Sequence, residues 1–275
     1  MSEIGIKESE NKIYGYDEEL WYLVLRSQNK TGERDIGAID RYLRTHSPGK
    51  EILDLGCGTG RISNMLAGMG YSVTGMDLSS RCIGEAKRLA QELGVSKNVT
   101  YIVGDYRELG PVSGKKFDAA LCILAPAWKS IDEATSVFGN LALHMRDGAI
   151  LLLRETVKER FLASLSAAPS VQSWFRVAGD ILCLHAWHYY CMESRVMTAK
   201  EFYRRRGKDF EYIARVEQEY VLRSIADYSA ALERAGWDVV EIANESVDLL
   251  EPEKYNDPWW LFSALIVAKL GGRRA

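Results

Sequence analysis

The sequence lacks the features that would place it at once among nucleic-acid-binding or membrane proteins. Its formal net charge is −3 and its isoelectric point is about 5.9, so no overall positive field attracts a polyanion. The longest apolar stretches, residues 119–128 and 259–268, are shorter than the roughly 20 residues that cross a bilayer, and the first ten residues contain no apolar run. We therefore expect no membrane association and no nucleic-acid binding through net charge.

Paired cysteines are also missing. The five cysteines stand at positions 57, 82, 122, 183 and 191, which is an odd number without a Cys-x-x-Cys motif. This usage predicts reduced thiols and a cytoplasmic protein, in which most cysteines fill the core.

The chain does contain a regular alternation of apolar runs and helical spacing, without internal repeats or low-complexity linkers. Residues 17–45 predict two helices, and the strand at residues 51–55 ends in a glycine-rich turn before a helix that starts near Arg61. Further strands are predicted at 71–78, 98–106, 117–125 and 149–155, with helices at 79–94 and 131–144 and a turn at 145–148. Such alternation predicts a parallel sheet covered by helices.

The pattern changes after Glu155. Residues 156–177 are expected to be helical or irregular, and residues 180–222 alternate apolar and polar side chains around a turn at 204–209. This alternation predicts an antiparallel hairpin or a small antiparallel sheet. A helix at 224–237 and strands at 238–243 and 259–270 complete the predicted elements.

The glycine-rich turn has a specific spacing of one acid and three glycines. Asp54, Gly56, Gly58 and Gly60 follow each other at every second position. A dinucleotide fold would need its third glycine where Arg61 stands, and a phosphate-binding P-loop would need Lys followed by Ser or Thr after the last glycine. The turn therefore favours a ligand without a phosphate group.

This segment resembles the first motif of the class I S-adenosylmethionine-dependent methyltransferases. In that family the loop wraps the methionine part of the cofactor, which implies that Asp54 lies near its ammonium group. The same resemblance assigns the turn residues Gly56, Cys57, Gly58 and Gly60 to cofactor binding.

Further matches follow at the ends of the next predicted strands. The resemblance implies that Asp77 accepts the ribose hydroxyls and that Asp105 binds the adenine amino group, with Leu78 or Tyr106 packed on the ring. It also implies that the residues from Cys122 to Leu124 line the far side of the cofactor, and that Tyr16 covers it. For Tyr16 and Asp17, a helix start capped by Asp17 above a core of aromatic side chains is an equally open interpretation.

The resemblance covers about residues 50–155 and resumes at 224–270. It implies an α/β fold: a Rossmann-like, mostly parallel seven-stranded sheet with helices on both faces, an antiparallel last strand and a small antiparallel insert before the last helix. We expect an N-terminal helical lid at 1–48, a cofactor-binding core at 49–155, a substrate-covering insert at 156–222 and the completion of the core at 223–275.

The insert contains the string CLHAWHYYC, residues 183–191. Two histidines and two cysteines suggest zinc, but strand alternation places Cys183, His185 and Cys191 on one face and His188 on the other, so we predict no metal. Two interpretations stay open: the aromatics pack the insert onto the sheet with the histidines hydrogen-bonded, or the string lines a pocket.

If the string lines a pocket, His185 or His188 is the candidate general base, because an imidazole titrates near neutral pH. The candidate substrate contacts are then Trp187 and Tyr189 from this string and Trp128 from the end of the fourth strand.

The predicted function is methyl transfer from S-adenosylmethionine, by in-line displacement, to a small-molecule acceptor whose oxygen, nitrogen or carbon is the nucleophile. A basic cluster with interleaved aromatics at residues 200–210 keeps an RNA methyltransferase open, and a non-catalytic protein that binds the cofactor is a third possibility. A dehydrogenase fits poorly because of Arg61. The sequence leaves the oligomeric state open.

Overall fold

The structure is a computed structural model, and it describes residues 12–13, 16–27, 33–125, 128, 130–164, 170–190, 194–243 and 263–271. The elements up to residue 156 are β1 (Lys12–Ile13), β2 (Tyr16–Asp17), α1 (Glu18–Ser27), α2 (Glu33–His46), β3 (Glu51–Leu55), α3 (Arg61–Gly68), β4 (Ser72–Asp77), α4 (Ser80–Glu92), β5 (Val99–Val103), β6 (Phe117–Ile123), α5 (Ile131–Ala142) and β7 (Met145–Thr156). They are followed by α6 (Lys158–Ser164), β8 (Ser170–Ala178), β9 (Ile181–Tyr190), β10 (Arg195–Arg206), β11 (Asp209–Val221), α7 (Ile225–Arg234), β12 (Trp237–Ala243) and β13 (Ser263–Leu270). No helix in the described ranges is long and apolar enough to span a membrane.

The central sheet has seven strands in the order β12-β13-β7-β6-β3-β4-β5. Strands β3 to β7 pair in parallel, whereas β13 is antiparallel to both of its neighbours, β7 and β12. The predicted mostly parallel seven-stranded sheet with an antiparallel last strand is confirmed. Because the parallel strands run the same way, their carboxyl ends meet at one edge of the sheet, where ligands bind in open α/β folds.

Helices cover both faces of this sheet, because its inner strands are apolar on both sides. On one face Leu151 and Leu153 of β7 pack against Phe138 of α5 and Leu232 of α7. On the other face Ile150 and Leu152 belong to the cluster that includes residues of α2 and α3. The alternating side chains of β7 therefore serve two separate halves of the core.

A second sheet holds β8 to β11, all antiparallel, in the order β11-β10-β9-β8. Its inner face is apolar at Cys183 and Phe202, which pack with Leu23 of α1 and Cys82 of α4. This sheet is the predicted antiparallel insert. The cysteines at 82, 122 and 183 are buried and form no disulfide within the described residues, as expected of core fillers.

Two local predictions need correction. Residues 170–178 form strand β8 and are not helical or irregular, because β9 offers a full register of partners from Ser170 opposite His188 onward. The predicted turn at 145–148 lies inside β7 as an irregularity: Met145 pairs with Phe117, pairing resumes at Ile150, and Gly148 takes a φ of 73°.

Candidate active site

The glycine-rich turn joins the end of β3 to the start of α3. Gly56, Gly58 and Gly60 have φ values of 70°, 55° and 75°, a left-handed region that side chains disfavour. A Cβ atom at Gly56 would collide with the side chain of Ala125, and one at Gly60 would collide with Tyr101. The backbone amides of Gly56 and Cys57 both donate to the Met76 carbonyl, at 2.8 and 3.0 Å, so the turn is held against β4.

Asp54 lies at the end of β3 and is buried. Its carboxylate accepts a hydrogen bond from the Ser63 hydroxyl of α3 at 2.5 Å. Burial, together with the charge of nearby Asp77, raises the pKa of Asp54 to about 6, although the Ser63 hydrogen bond opposes the shift. At neutral pH Asp54 is therefore mostly ionised, and a cation placed beside it favours the ionised form further.

Asp77 lies at the end of β4, the next strand in the sheet. Its two oxygens accept the backbone amides of Gly58 at 2.8 Å and Ser79 at 2.9 Å. Burial raises the pKa of this carboxyl, and the two backbone hydrogen bonds oppose the rise. Asp77 thus fastens the glycine-rich turn to β4, a structural role that its position in the sequence did not reveal.

Asp105 follows β5 and is half-buried. The Arg107 side chain holds it from two residues away, with Nε at 2.9 Å from both carboxylate oxygens, and the Arg107 backbone amide also donates at 2.9 Å. The Arg107 guanidinium lowers the pKa of Asp105, so this carboxylate stays ionised. Sequence reasoning missed Arg107, although the spacing Asp-x-Arg was visible.

The apolar candidates separate into exposed and buried residues. Leu78, just after β4, is 39% exposed, whereas Tyr106 is 3% exposed and its ring lies beside Gly56 in the core. The Tyr106 hydroxyl donates to the Ala125 carbonyl. Of the two alternatives for packing on a ligand ring, the structure favours Leu78.

The carboxyl end of β6 contains Cys122 and Leu124. Cys122 is fully buried, and burial raises the pKa of its thiol well above the ordinary value. Leu124 is half-buried, takes a φ of 50° and donates its backbone amide to the Arg154 carbonyl at 2.9 Å. A left-handed conformation at a non-glycine residue stores strain, which is common beside ligand sites.

Trp128 lies beyond β6 and packs with ring edges against Phe138 at a centroid distance of 5.2 Å and Tyr106 at 6.2 Å. Only 8% of it is exposed, so most of the indole belongs to the core. Its Nε1 is buried and makes no hydrogen bond of regular geometry.

Sequence reasoning missed Glu155, at the carboxyl end of β7. This side chain is 1% exposed, and its Oε1 has no hydrogen-bond partner in the part of the chain that the structure describes. Burial raises the pKa of Glu155 well above its ordinary value. The available signal was a charged pair, Arg154 and Glu155, that directly continues an apolar strand.

The two candidate histidines lie on opposite faces of β9. His185 is fully buried on the inner face, directly across from the buried Lys200 of β10, and burial together with the Lys200 charge lowers the pKa of its imidazole well below the ordinary value. His188 is exposed on the outer face, where it lines a cavity of about 210 Å³ with Glu201 and Arg215. Only His185 therefore points toward the inner side of this sheet, so the placement favours it over His188 as a candidate base.

Some predicted site residues cannot be placed fully. The side chains of Tyr16, Trp187 and Tyr189 lie outside the described residues, although their backbones belong to β2 and β9. Cys191 lies entirely outside them. Within the described ranges, no group of three His, Cys, Asp or Glu side chains is arranged to hold a metal ion.

Comparison with known proteins gives this geometry a family context. Residues 52–148, which contain β3 through the start of β7, match the family model described as "Methyltransferase domain". Residues 52–148 thus match a methyltransferase domain. This domain contains the glycine-rich turn, Asp54, Asp77 and Asp105, whereas Glu155 and the second sheet lie beyond the matched residues.

A curated relative is the magnesium-protoporphyrin O-methyltransferase of Synechocystis, which is 34% identical over 96 residues, or 34% of this chain and 40% of that protein. The chain spans about half the length of the curated relatives it matches, or less: 51%, 40% and 51% in three cases.

Solved structures resemble the chain over nearly its whole length. An S-adenosylmethionine-dependent methyltransferase from Clostridium acetobutylicum is 17% identical with a TM-score of 0.66, covering 94% of this chain and 93% of that one. The sugar N-methyltransferase KedS8 from Streptoalloteichus is 17% identical with a TM-score of 0.69, covering 99% and 100%. The methyltransferase domain therefore has the predicted Rossmann-like methyltransferase fold.

Proposed function

We propose that this chain transfers the methyl group of S-adenosylmethionine to a small-molecule acceptor. The observation that carries the proposal is the set of three carboxylates, Asp54, Asp77 and Asp105, at the ends of three adjacent strands around a glycine-rich turn. The cofactor presents an ammonium group, ribose hydroxyls and an adenine amino group, all of which donate hydrogen bonds to carboxylates. A pyrophosphate would meet repulsion in the same place.

The observed turn fits the amino-acid part of the cofactor. Because a Cβ atom at Gly56 would collide with Ala125, only glycine leaves the backbone open there, and Gly58 and Gly60 keep the turn in its left-handed conformation. In the proposal, the turn and Cys57 surround the methionine part and Asp54 holds its ammonium group. A nearby positive charge favours the ionised form of Asp54, whose pKa is about 6 without it.

Residues at the ends of β4 and β5 would bind the nucleoside part of the cofactor. Each carboxylate oxygen has a second lone pair, so Asp77 can accept the ribose hydroxyls while it keeps the amides of Gly58 and Ser79. Asp105, kept ionised by Arg107, would accept the adenine amino group, with the exposed Leu78 packed on the ring. Tyr16 would cover the cofactor, and Cys122 and Leu124 would flank its far side.

When bound, the sulfonium supplies an electrophilic methyl group. The chain must align the acceptor in line with the breaking bond and exclude water. We assign this task to the part of residues 1–48 that precedes α2, as a lid, and to residues 156–222 as the substrate cover, because α2 itself packs in the core. Trp128, Trp187 and Tyr189 would be substrate contacts, and His185 lies on the inner face of the cover.

The contacts of the basic cluster argue for a small-molecule acceptor over RNA. Lys200 is buried, Arg206 pairs with Glu211 at 3.1 Å, and Arg204 lies 3.8 Å from Asp180, which leaves Arg205 and Lys208 as the exposed cations of the cluster without an ion pair in the described structure. A phosphate backbone needs cations that are accessible and not already paired. The same small-molecule proposal includes a cytoplasmic location, which is supported by the reduced state of the cysteines at 82, 122 and 183.

Calorimetric titration tests the proposal. S-Adenosylmethionine, its demethylated product S-adenosylhomocysteine and NAD are each titrated into the wild-type protein and into Asp77→Ala. We expect both sulfur nucleosides to bind and NAD not to bind. The variant should lose about 1 to 3 kcal/mol of binding free energy, the scale of a lost hydrogen bond to a charged group.

A matched control keeps this result interpretable. Asp77 also holds the glycine-rich turn, so the melting temperature of Asp77→Ala is measured without ligand, and Asp118→Ala supplies a second buried aspartate, one that lies at the start of β6 and accepts the Glu51 amide at 2.9 Å. Tight NAD binding, or equal cofactor affinity in Asp77→Ala and wild type, would contradict the assignment. A non-catalytic binding protein would bind both nucleosides and methylate no acceptor in a broad panel.

A further inference from the structure

We infer that Glu155 is a catalytic residue of this methyl transfer, whose carboxylate receives the proton of the acceptor. The inference rests on the proposed function, because it concerns the acceptor side of the same site. It starts from a carboxyl group that is buried to 99% without a hydrogen bond to its Oε1, at the end of a central strand of the sheet where ligands bind.

The surroundings of Glu155 are built from three elements. It extends from β7 on the same side as Leu153, and its charge acts on Tyr228 of α7 and on Cys122 of β6. The Trp128 indole also acts on the Tyr228 hydroxyl, whose pKa is raised mainly by burial. Glu155 Oε1 is a hydrogen-bond acceptor, and it has no partner within the described chain.

This unsatisfied carboxylate oxygen complements a hydroxyl or amine. Such a group donates a hydrogen bond, so it can satisfy the buried Oε1 of Glu155. A core glutamate that served only the fold would instead be expected to bond to a neighbouring protein group, since buried polar atoms are nearly always satisfied. A substrate group is the occupant whose chemistry fits.

Glu155 is also electrostatically close to the proposed cofactor site. Strands β3, β6 and β7 are neighbours, and Leu55, Cys122 and Leu153 stand side by side across them. Both Asp54 and Glu155 raise the pKa of the Cys122 thiol, so this side chain lies within reach of both charges. Glu155 therefore faces the region between the glycine-rich turn and the acceptor.

The reaction then balances in charge as well as in atoms. A lone pair of the acceptor forms the new bond to the methyl carbon, the carbon–sulfur bond breaks with its electron pair remaining on sulfur, and the acceptor proton moves to the Glu155 carboxylate. The positive charge of the sulfonium and the negative charge of the carboxylate disappear together. A buried site favours such a step because neither charge is left uncompensated.

The charge of the cofactor also explains how the buried Glu155 carboxyl can lose its proton before the methyl group is transferred. Burial favours the neutral acid when the site is empty of charge, and a sulfonium beside it favours the carboxylate. The titratable or charged side chains near Glu155 include Cys122, Tyr228 and Arg223, and none of these three forms an ion pair with it in the described structure. Binding of the cationic cofactor should therefore release a proton from Glu155.

The test compares the two cofactor forms, which carry the same ammonium group and differ in the charge on sulfur. Proton release on binding is measured by calorimetry at pH 6 to 8 in buffers of different ionisation enthalpy. We expect S-adenosylmethionine to release up to one more proton per site than S-adenosylhomocysteine, and its affinity to rise up to about tenfold per pH unit relative to the product. Glu155→Gln should abolish this difference.

Asp54→Asn is the matched control, because Asp54 faces the ammonium group that both ligands share. It should change the proton release of both ligands equally and leave their difference intact. Once an acceptor is known, Glu155→Gln should also lower kcat by about 10²- to 10⁴-fold and remove the acid limb of the pH–rate profile.

Equal proton release by the two ligands in the wild-type protein would overturn the inference without any variant, so a folding defect in Glu155→Gln cannot hide the answer. A difference that persists in a folded Glu155→Gln protein would overturn it as well. If neither nucleoside binds the wild-type protein, the proposed function itself fails, and the inference fails with it.

Discussion

The two halves of the carboxyl edge differ in how their polar groups are satisfied. Along β3, β4 and β5 every carboxylate has a protein partner: Asp54 has Ser63, Asp77 has two backbone amides, and Asp105 has Arg107. At the end of β7, Glu155 Oε1 is buried without a hydrogen-bond partner in the described chain. One half is organised before any ligand binds, and the other keeps a buried polar atom that the fold does not satisfy.

The difference indicates that polar residues along one edge of the sheet contribute unequally to folding stability and to ligand binding. Groups that already hold each other stabilise the fold and present a fixed geometry to a ligand. A buried polar atom without a partner costs folding free energy, and a bound substrate can recover that free energy. Variants on the two halves should consequently change stability in opposite directions.

The largest effect on the organised half is expected from Gly56→Ala. The new side chain would occupy a left-handed conformation and collide with Ala125, which should destabilise the protein by about 3 kcal/mol and abolish cofactor binding. Urea denaturation measures the first effect, and calorimetry the second. Gly84→Ala in α4 is the control: nothing lies within 4 Å of its added methyl group, so this variant should be as stable as wild type or more so.

The opposite sign is expected for Glu155→Gln. Burial raises the folded pKa of Glu155 above its unfolded value, so its contribution to stability is full below the unfolded pKa and is lost as pH rises through the folded pKa. Between those two values, the variant should gain on wild type by about 1.4 kcal/mol per pH unit. Denaturation curves at pH 4, 6 and 8 measure this gain, and parallel curves for the two proteins would refute it.

A smaller loss is expected when a partner is removed from the organised half. Ser63→Ala leaves the buried Asp54 without its hydroxyl donor, which should raise the pKa of Asp54 further and cost about 1 kcal/mol at neutral pH. Denaturant titration beside Ser136→Ala checks this, because Ser136 bonds only to a carbonyl on the exposed side of α5. Equal losses of stability in the two variants would mean that the Ser63–Asp54 hydrogen bond contributes no more than the exposed Ser136 hydrogen bond.

The smallest effect on stability is expected for Arg107→Ala. The pair with Asp105 is partly exposed, so solvent screens it and its loss should cost only about 0.5 kcal/mol. The cofactor should respond more than the fold, because Asp105 loses the guanidinium that orients it. Calorimetry with S-adenosylmethionine at low and high salt separates the two responses, and a large loss of stability would show that the ion pair belongs to the core.

Much of this arrangement could be predicted from the sequence because it repeats a simple period. Apolar runs that stop at Asp54, Asp77 and Asp105 fixed the strand ends, and the glycine spacing fixed the turn between β3 and α3. The strand at 170–178 escaped prediction because its pairing with β9 depends on residues that follow it in the chain.

The acceptor half could not be predicted because burial depends on the fold. A charge at the end of a strand, such as Glu155, is usually solvated, and only the packing of α7 against β7 encloses it. Tyr106 and Leu78 follow equivalent acids, yet one ring turns into the core and the other side chain remains exposed. Strand alternation did separate His185 from His188 correctly, but it could not show which face of β9 packs inward.

Helix α1 packs against parts of the molecule that are far apart in the sequence. Leu20, Leu23 and Val24 belong to one apolar cluster with the inner side of the second sheet and Cys82 of α4. Helix α1 thereby joins the second sheet, which begins at residue 170, to α4, which lies between them in the sequence. During synthesis α1 is made before the second sheet, so this sheet can pack against α1 only after translation has passed residue 221.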